Sequence, residues 1–308
     1  MIEMQSKYPK SEYMEAPRSA CPGCALPLAL RYFLKVMGEK VVFVIPPGCS
    51  PVVVNVPRRI IRYEGQVIRI LLSLFGSTAA IAAGFKTGLI ERGDAETEVV
   101  AWAGDGATLD IGLGPVSAAA ERNEDIIYVC CDNEAYMNTG NQRSSATPLW
   151  ATTTTNPLPL PKGQWKKDIM SIMASHGIPY AATLTVAYPE DFMKKVETAK
   201  NMRGFRFLYI LTPCPTGWRF RAEETVKISR LSVETNIFPL FEVRDGNHFT
   251  INKGPGRTPV EKYTSLQGRY AHLTSEQLGE IQEKVDRRWE WLKWLAGYNK
   301  TKTNHSAV

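Results

Sequence analysis

Gly104-Asp105-Gly106 follows an apolar run, and Asn133 closes the next apolar run, 27 residues after Gly106. If both runs are parallel strands, both sites fall at strand carboxyl ends, where open α/β sheets bind ligands. Glycines at 104 and 106 let the backbone approach a diphosphate closely. The Asp105 carboxylate and the Asn133 side-chain oxygen can then face one Mg²⁺, whose octahedral shell phosphate oxygens complete. Gly-Asp-Gly is also a common tight turn. The two strand contexts and the polar run after Asn133, NEAYMNTGNQ, favour the diphosphate.

The second group of residues is cysteine. Cys21-Pro-Gly-Cys24 is a CxxC ahead of a helical pattern, Cys49 stands in Pro-Pro-Gly-Cys-Ser, and Cys214 in Pro-Cys-Pro-Thr-Gly-Trp. Proline and glycine at each site hold a loop open, so the four thiolates can converge. Either a [4Fe–4S] cluster or a structural zinc would be satisfied by them. One CxxC joined by two isolated cysteines leans toward the cluster, since zinc sites more often use two such pairs. Cys130 and Cys131 are adjacent in an apolar strand, point to opposite faces and read as core.

These residues need a scaffold, and the apolar runs supply one. Strands are expected at Val41–Ile45, Glu98–Ala103, Ile126–Cys131, Tyr180–Thr185 and Phe205–Leu211, with helices at Leu26–Met37, Thr78–Arg92, Ile111–Arg122, Lys166–His176 and Pro189–Asn201. Alternation of this kind predicts an α/β fold with a doubly wound, mostly parallel sheet whose strands are covered on both faces. Asn133–Gln164 reads as a long polar loop of the functional sort. Beyond Trp218 the pattern changes to a helix near Glu223–Glu234, a hairpin turning at Asp245–Asn247 and a last helix over Ser275–Leu295. Residues 1–230 are therefore read as the α/β domain and 231–308 as a C-terminal extension that packs on the core or on a partner subunit.

Composition narrows the classes. The chain has 308 residues with 37 basic against 31 acidic side chains, scattered rather than clustered, so nucleic acid is not called for. No apolar run reaches membrane-spanning length, and the first nineteen residues show neither a signal core nor an Arg-rich amphipathic pattern. Six cysteines are too few for a secreted disulfide scaffold, which places the expected location in the cytoplasm.

The run GDGATLDIGLGPVSAAAERNEDIIYVCCDNEAYMNTGNQRSSATP, with CPTGWR at 214–219, ETNIFPLFEV at 234–243 and PVEKYTSLQGRYAHL at 259–273, closely resembles the beta subunits of pyruvate synthase and related 2-oxoacid:ferredoxin oxidoreductases. The resemblance covers nearly the whole chain. It implies the diphosphate-binding half of a thiamine-diphosphate fold, with Mg²⁺ on Asp105, Asn133 and the main-chain oxygen of Ala135, and a [4Fe–4S] cluster on Cys21, Cys24, Cys49 and Cys214. Gly104, Gly106 and Cys49 would border the cofactor. Asn138 and Thr139 would lie near the thiazolium and diphosphate, Asn138 as the polar contact to substrate; the plainer reading is that the pair only turns the loop.

The implied reaction is oxidative decarboxylation of a 2-oxoacid, pyruvate first, with electrons passing to ferredoxin and the acyl group to coenzyme A. Partner subunits of the alpha, gamma and delta type would supply the aminopyrimidine half-site and any further clusters. Two departures from the resembled subunits bear on the substrate: IRILLSLFGSTAAIAAG puts Ser73 and Gly76 in a region expected to face the cofactor, and PPGCSPVVV lacks the acidic residue usual after the third cysteine. They leave oxalate or another 2-oxoacid open. A non-redox thiamine-diphosphate decarboxylase would leave the four cysteines unused, and an electron-transfer subunit would leave Asp105 and Asn133 unused.

The remaining candidates have plainer readings. His176 suits a helix C-terminus, and His248 and His272 are given no role. Trp291 and Trp294 share one face of the last helix and are expected to pack on the core or a partner, with Trp289 pointing elsewhere. Arg219 and Arg221 read as solvated charges unless they hold an acidic partner or a phosphate of coenzyme A, and Lys166 and Lys167 share that ambiguity.

Overall fold

The five apolar runs form the centre of one sheet because both of their faces are covered. The computed structural model describes residues 8–9, 12–15, 19–54, 62–63 and 66–297; most of the N-terminal segment read above lies outside them. In chain order the elements are α1 (Ala25–Met37), β1 (Val41–Ile45), α2 (Cys49–Val53), β2 (Arg62–Tyr63), β3 (Gln66–Val67), β4 (Arg69–Leu72), α3 (Thr78–Glu91) and β5 (Glu98–Gly104). A π-helical turn over Gly106–Asp110 leads to α4 (Leu113–Glu121), β6 (Ile127–Asp132), α5 (Ile169–Ser175), β7 (Tyr180–Thr185), α6 (Pro189–Lys200), β8 (Arg206–Leu211) and α7 (Pro215–Trp218). Last come α8 (Thr225–Glu234), β9 (Phe241–Arg244), β10 (His248–Ile251), α9 (Glu261–Thr264) and α10 (Ser275–Leu295).

The sheet runs β10-β9-β7-β8-β6-β5-β1-β4. From β7 to β4 every neighbour is parallel, and β9 adds to β7 antiparallel. Every residue of β1, β6, β7 and β8 is buried. The two faces carry separate cores, and adjacent Cys130 and Cys131 fall one in each, as their alternation requires.

Several expectations need correction. The strand β4 lies inside a stretch read only as cofactor-facing; it is an edge strand with Ile70 buried and Leu72 exposed, so it lacks the two-sided apolar character of the others. The helix expected from Ile111 is preceded by the π-helical turn, a feature common at functional sites. The helix expected from Lys166 starts at Ile169, because Asp168 caps it by accepting from Ser171 N and Lys166 is drawn elsewhere. The hairpin turns at Asp245 and Gly246, both with positive φ as this kind of tight turn requires, yet it extends the main sheet. Residue 230 falls inside α8. In α10 it is Trp289 that is buried, whereas Trp291 and Trp294 are 40% and 68% exposed. No helix among the described residues is long and apolar enough to cross a membrane.

Candidate functional site

The ends of β5 and β6 lie side by side, with Gly104 opposite Cys131. Asp105 leaves β5 fully buried and accepts a hydrogen bond from Ser144 Oγ at 2.5 Å. Burial, and then the charge of Asp132, push its carboxyl well above the usual carboxylate range. Gly104 has open space where a Cβ would stand. At Gly106 a Cβ would lie 2.3 Å from Tyr136 Cε1, so the ring of Tyr136 occupies the room this glycine leaves. Tyr136 Oη donates to Asp110 Oδ2 at 2.9 Å, which ties the turn after β6 to the π-helical turn after β5.

The chain leaves β6 through Asn133, Glu134 and Ala135. The side-chain amide nitrogen of Asn133 donates to Asp105 Oδ1 at 3.2 Å and to the Ala135 carbonyl oxygen at 2.8 Å, so the three groups converge. Turned over, the amide would bring its oxygen beside both. Glu134 takes a left-handed φ of 66°. Its N–H donates to Asp132 Oδ1 at 2.8 Å, and its carbonyl accepts from Thr147 Oγ1 at 2.6 Å. Its buried carboxylate lies 2.9 Å from Lys166 Nζ and 2.6 Å from an Arg269 nitrogen. Lys166 also pairs with Asp132 at 2.8 Å. Burial alone would drive the Lys166 ammonium down, but Asp132 and Glu134 outweigh it and hold the pKa above the ordinary lysine value. Lys166 is thus part of a buried charge network rather than a solvated cation.

Two adjoining cavities open at these turns. The smaller, about 260 Å³, is bordered by Gly104, Asp105, Gly106, Asn133, Ala135, Tyr136, Asn138, Thr139 and Cys49. The larger, about 810 Å³, is bordered by Cys21, Cys24, Cys49 and Cys214, and shares Asn133, Met137, Asn138 and Cys49 with the smaller. The CxxC turn reaches Cys214 by docking on the segment after it: Thr225 Oγ1 donates to Gly23 O, and a Cβ on Gly23 would stand 2.3 Å from Ala222 O. Burial raises the Cys24 thiol to about 11 and the Cys49 thiol to about 12, with the neighbouring thiols adding to both. All four cysteines thus border one cavity. Among the described residues no three His, Cys, Asp or Glu side chains form a group that could hold a single metal ion.

Other predicted positions resolve individually. Asn138 is exposed on the rim common to both cavities, while the Thr139 hydroxyl is committed to Gln142 Oε1 at 2.6 Å within the turn. Of the segment 73–76 it is Phe75 that borders the smaller cavity; Ser73 is buried against Thr78, and Gly76 faces Ile111. Arg219 lines the larger cavity and bonds Thr152, and Arg221 pairs with Glu223 at the surface. His272, given no role from sequence, also lines the larger cavity; burial and then Arg219 push its pKa down. His176 caps α5 and lies 3.0 Å from Ser117 Oγ. Ser144, Glu134, Arg269 and Trp218 were missed as site residues, and Lys166 was named without its buried partners. Only the Asp-Asn-Glu run at 132–134 hinted at them.

Comparison with known proteins gives the family. The family described as "Thiamine pyrophosphate enzyme, C-terminal TPP binding domain" matches residues 47–210. The chain is 43% identical over 283 residues to pyruvate synthase subunit PorB of Methanothermobacter marburgensis, covering 91% of this chain and 97% of that one. It is 41% identical over 305 residues to ketoisovalerate oxidoreductase subunit VorB of Pyrococcus horikoshii, covering 96% and 97%. A 2-oxoglutarate:ferredoxin oxidoreductase structure from Magnetococcus marinus shares the fold, with a TM-score of 0.56 at 23% identity over 74% of this chain and 82% of that one.

Proposed function

Because this chain belongs to the beta subunits of the 2-oxoacid:ferredoxin oxidoreductases, we propose that its smaller cavity holds the diphosphate end of thiamine diphosphate with Mg²⁺ and that its four cysteines hold a [4Fe–4S] cluster. The convergence of the Asp105 carboxylate, the Asn133 amide and the Ala135 carbonyl on the border of the smaller cavity carries the reading. Octahedral Mg²⁺ at its usual bond length puts adjacent ligand oxygens about 2.9 Å apart; the Asn133 amide lies 3.2 Å from Asp105 Oδ1 and 2.8 Å from the Ala135 oxygen, so turning its oxygen inward would bring three ligand oxygens near that spacing. The donor set is hard oxygen throughout, as this cation prefers, and Gly104 leaves room for phosphate beside it. The four thiols around one larger cavity suit a cluster, in which each thiolate takes a different iron.

When bound, thiamine diphosphate supplies the electron sink that lets a 2-oxoacid lose CO₂. The chain's residues do the holding. Asp105 and Asn133 anchor the cation, Ser144 fixes one oxygen of Asp105, and Tyr136 closes over Gly106. Asn138, on the rim between the cavities, is assigned the polar contact to substrate. Thr139 holds the shape of its turn. The aminopyrimidine half-site, coenzyme A and ferredoxin are assigned to partner subunits and to the assembled enzyme, of which this chain is one part.

Pyruvate is the first substrate to test, since a pyruvate synthase subunit is 43% identical to this chain over 283 residues. A branched 2-oxoacid is the second reading, favoured by the ketoisovalerate relative that covers 96% of the chain. The test is anaerobic co-purification with the partner subunits, with iron, sulfide, Mg²⁺ and thiamine diphosphate quantified together. Pyruvate, 2-oxoisovalerate, 2-oxoglutarate and oxalate are then screened for viologen reduction. One thiamine diphosphate is expected per copy of this chain, with about four irons beyond those of any cluster carried by the partners. Zinc in place of iron, or bound thiamine with no electron transfer to any acid, would overturn the assignment.

A further inference from the structure

Two contacts join the turn that ends β6 to the turn that carries Cys214. Trp218 Nε1–H donates to the Asn133 carbonyl oxygen at 2.8 Å. Met137 packs so tightly on Gly217 that a Cβ there would stand 2.1 Å from its Sδ. Both contacts land on α7, where Gly217 N–H donates to Cys214 Sγ at 3.4 Å and Trp218 N–H donates to Cys214 O at 2.9 Å. The indole has no freedom to turn aside. It is buried, and the Arg269 guanidinium carbon lies 3.9 Å from its ring centroid. Arg269 is itself held on Glu134, the residue after Asn133.

Asn133 is therefore bonded through its side chain to the candidate cation site and through its main chain to the residue that closes the Cys214 turn. Hydrogen bonds to a ligand sulfur help set the reduction potential of an iron–sulfur group. We infer that Trp218 is a positioning residue that couples the two sites: filling the cation and diphosphate site adjusts the Gly217 N–H···Sγ bond, and so tunes the potential of the group held by Cys214. This rests on the cofactor sites proposed above. Its physical use is order: the acceptor beside the decarboxylation site reaches its working potential only once that site is loaded.

The test uses the anaerobic assembled enzyme, stripped of thiamine diphosphate and Mg²⁺ and then reloaded. The midpoint potential and the electron paramagnetic resonance line shape of the reduced cluster are recorded before and after. A shift on reloading is expected in the natural protein. Trp218→Phe keeps a ring under Arg269 but removes the N–H, and in it the shift should be lost while iron and thiamine contents stay normal. A shift caused only by the charge of the bound cofactor would survive that substitution and overturn the coupling, as would no shift in the natural protein. Should Trp218→Phe lose either cofactor, Trp218→Tyr, which likewise lacks the indole N–H, decides in the same way. Failure of the underlying assignment is distinguishable, since iron or thiamine would then be missing from the natural protein before any titration.

Discussion

Ser144 Oγ donates to Asp105 Oδ2 at 2.5 Å, so one oxygen of this buried carboxylate is already engaged and Oδ1 is the one turned toward Asn133. Hydrogen bonds to charged groups contribute about 1.5–3 kcal/mol. Ser144→Ala should therefore weaken Mg²⁺–thiamine diphosphate binding by roughly ten- to a hundredfold, read by calorimetry on the assembled enzyme. Asp105→Ala should abolish retention while iron content is unchanged. Equal loss of iron would mean that Asp105 serves the fold rather than the cation.

Gly106 is expected to tolerate no side chain, because Tyr136 already fills its place and is held there by Asp110. Gly106→Ala should cost about 1–3 kcal/mol by overpacking and displace the tyrosine. Tyr136→Ala added to Gly106→Ala should recover part of that loss in thermal denaturation. A double variant no more stable than the single one would place the strain elsewhere.

Glu134 neutralises two cations at once. Glu134→Gln leaves Arg269 buried without a charged partner, while Lys166 keeps Asp132. Breaking a buried pair in this way costs roughly 3–5 kcal/mol, measurable by chemical denaturation. Adding Arg269→Met should restore part of the stability, since the unpaired charge is then gone. If the two substitutions simply add, the pair is not the source of the loss.

Lys162 gives a pH dependence whose sign can be worked out. Burial, then Arg143 and Lys166, lower its pKa from 10.5 to about 8. Between those values the unfolded chain holds more protons than the folded one, so this group's contribution to stability rises with pH across that window. Below it the buried charge costs up to roughly 3 kcal/mol. Comparing urea unfolding at about pH 7.5 and about pH 10, Lys162→Met should remove this rise. An identical slope in the variant would assign the dependence to other groups.

The five central strands were legible because a strand covered on both faces is apolar along most of its length, with polar residues such as Glu98, Asp132 and Arg206 at the ends. Asp105 and Asn133 were legible because each ends such a strand. The supporting residues carry no local sign. Ser144 reaches Asp105 across 39 positions, and the indole of Trp218 reaches Asn133 across 85. Lys166 and Arg269 look like ordinary surface cations until the fold buries them on Glu134. The edge strand β4 was missed for a related reason, since only one of its faces is covered and its pattern blends into the loop that follows.

The order in which strands leave the ribosome differs from their order in the sheet. β7 receives its outer neighbour only when β9, at 241–244, has been made, and that hairpin is the last piece of sheet in the chain. Until then β7 presents an open backbone edge, the kind of surface that recruits strands from other chains. A nascent chain released at residue 230 would thus carry both candidate cofactor turns and still be prone to aggregate, and the C-terminal hairpin acts as the seal that makes the rest of the sheet safe to fold.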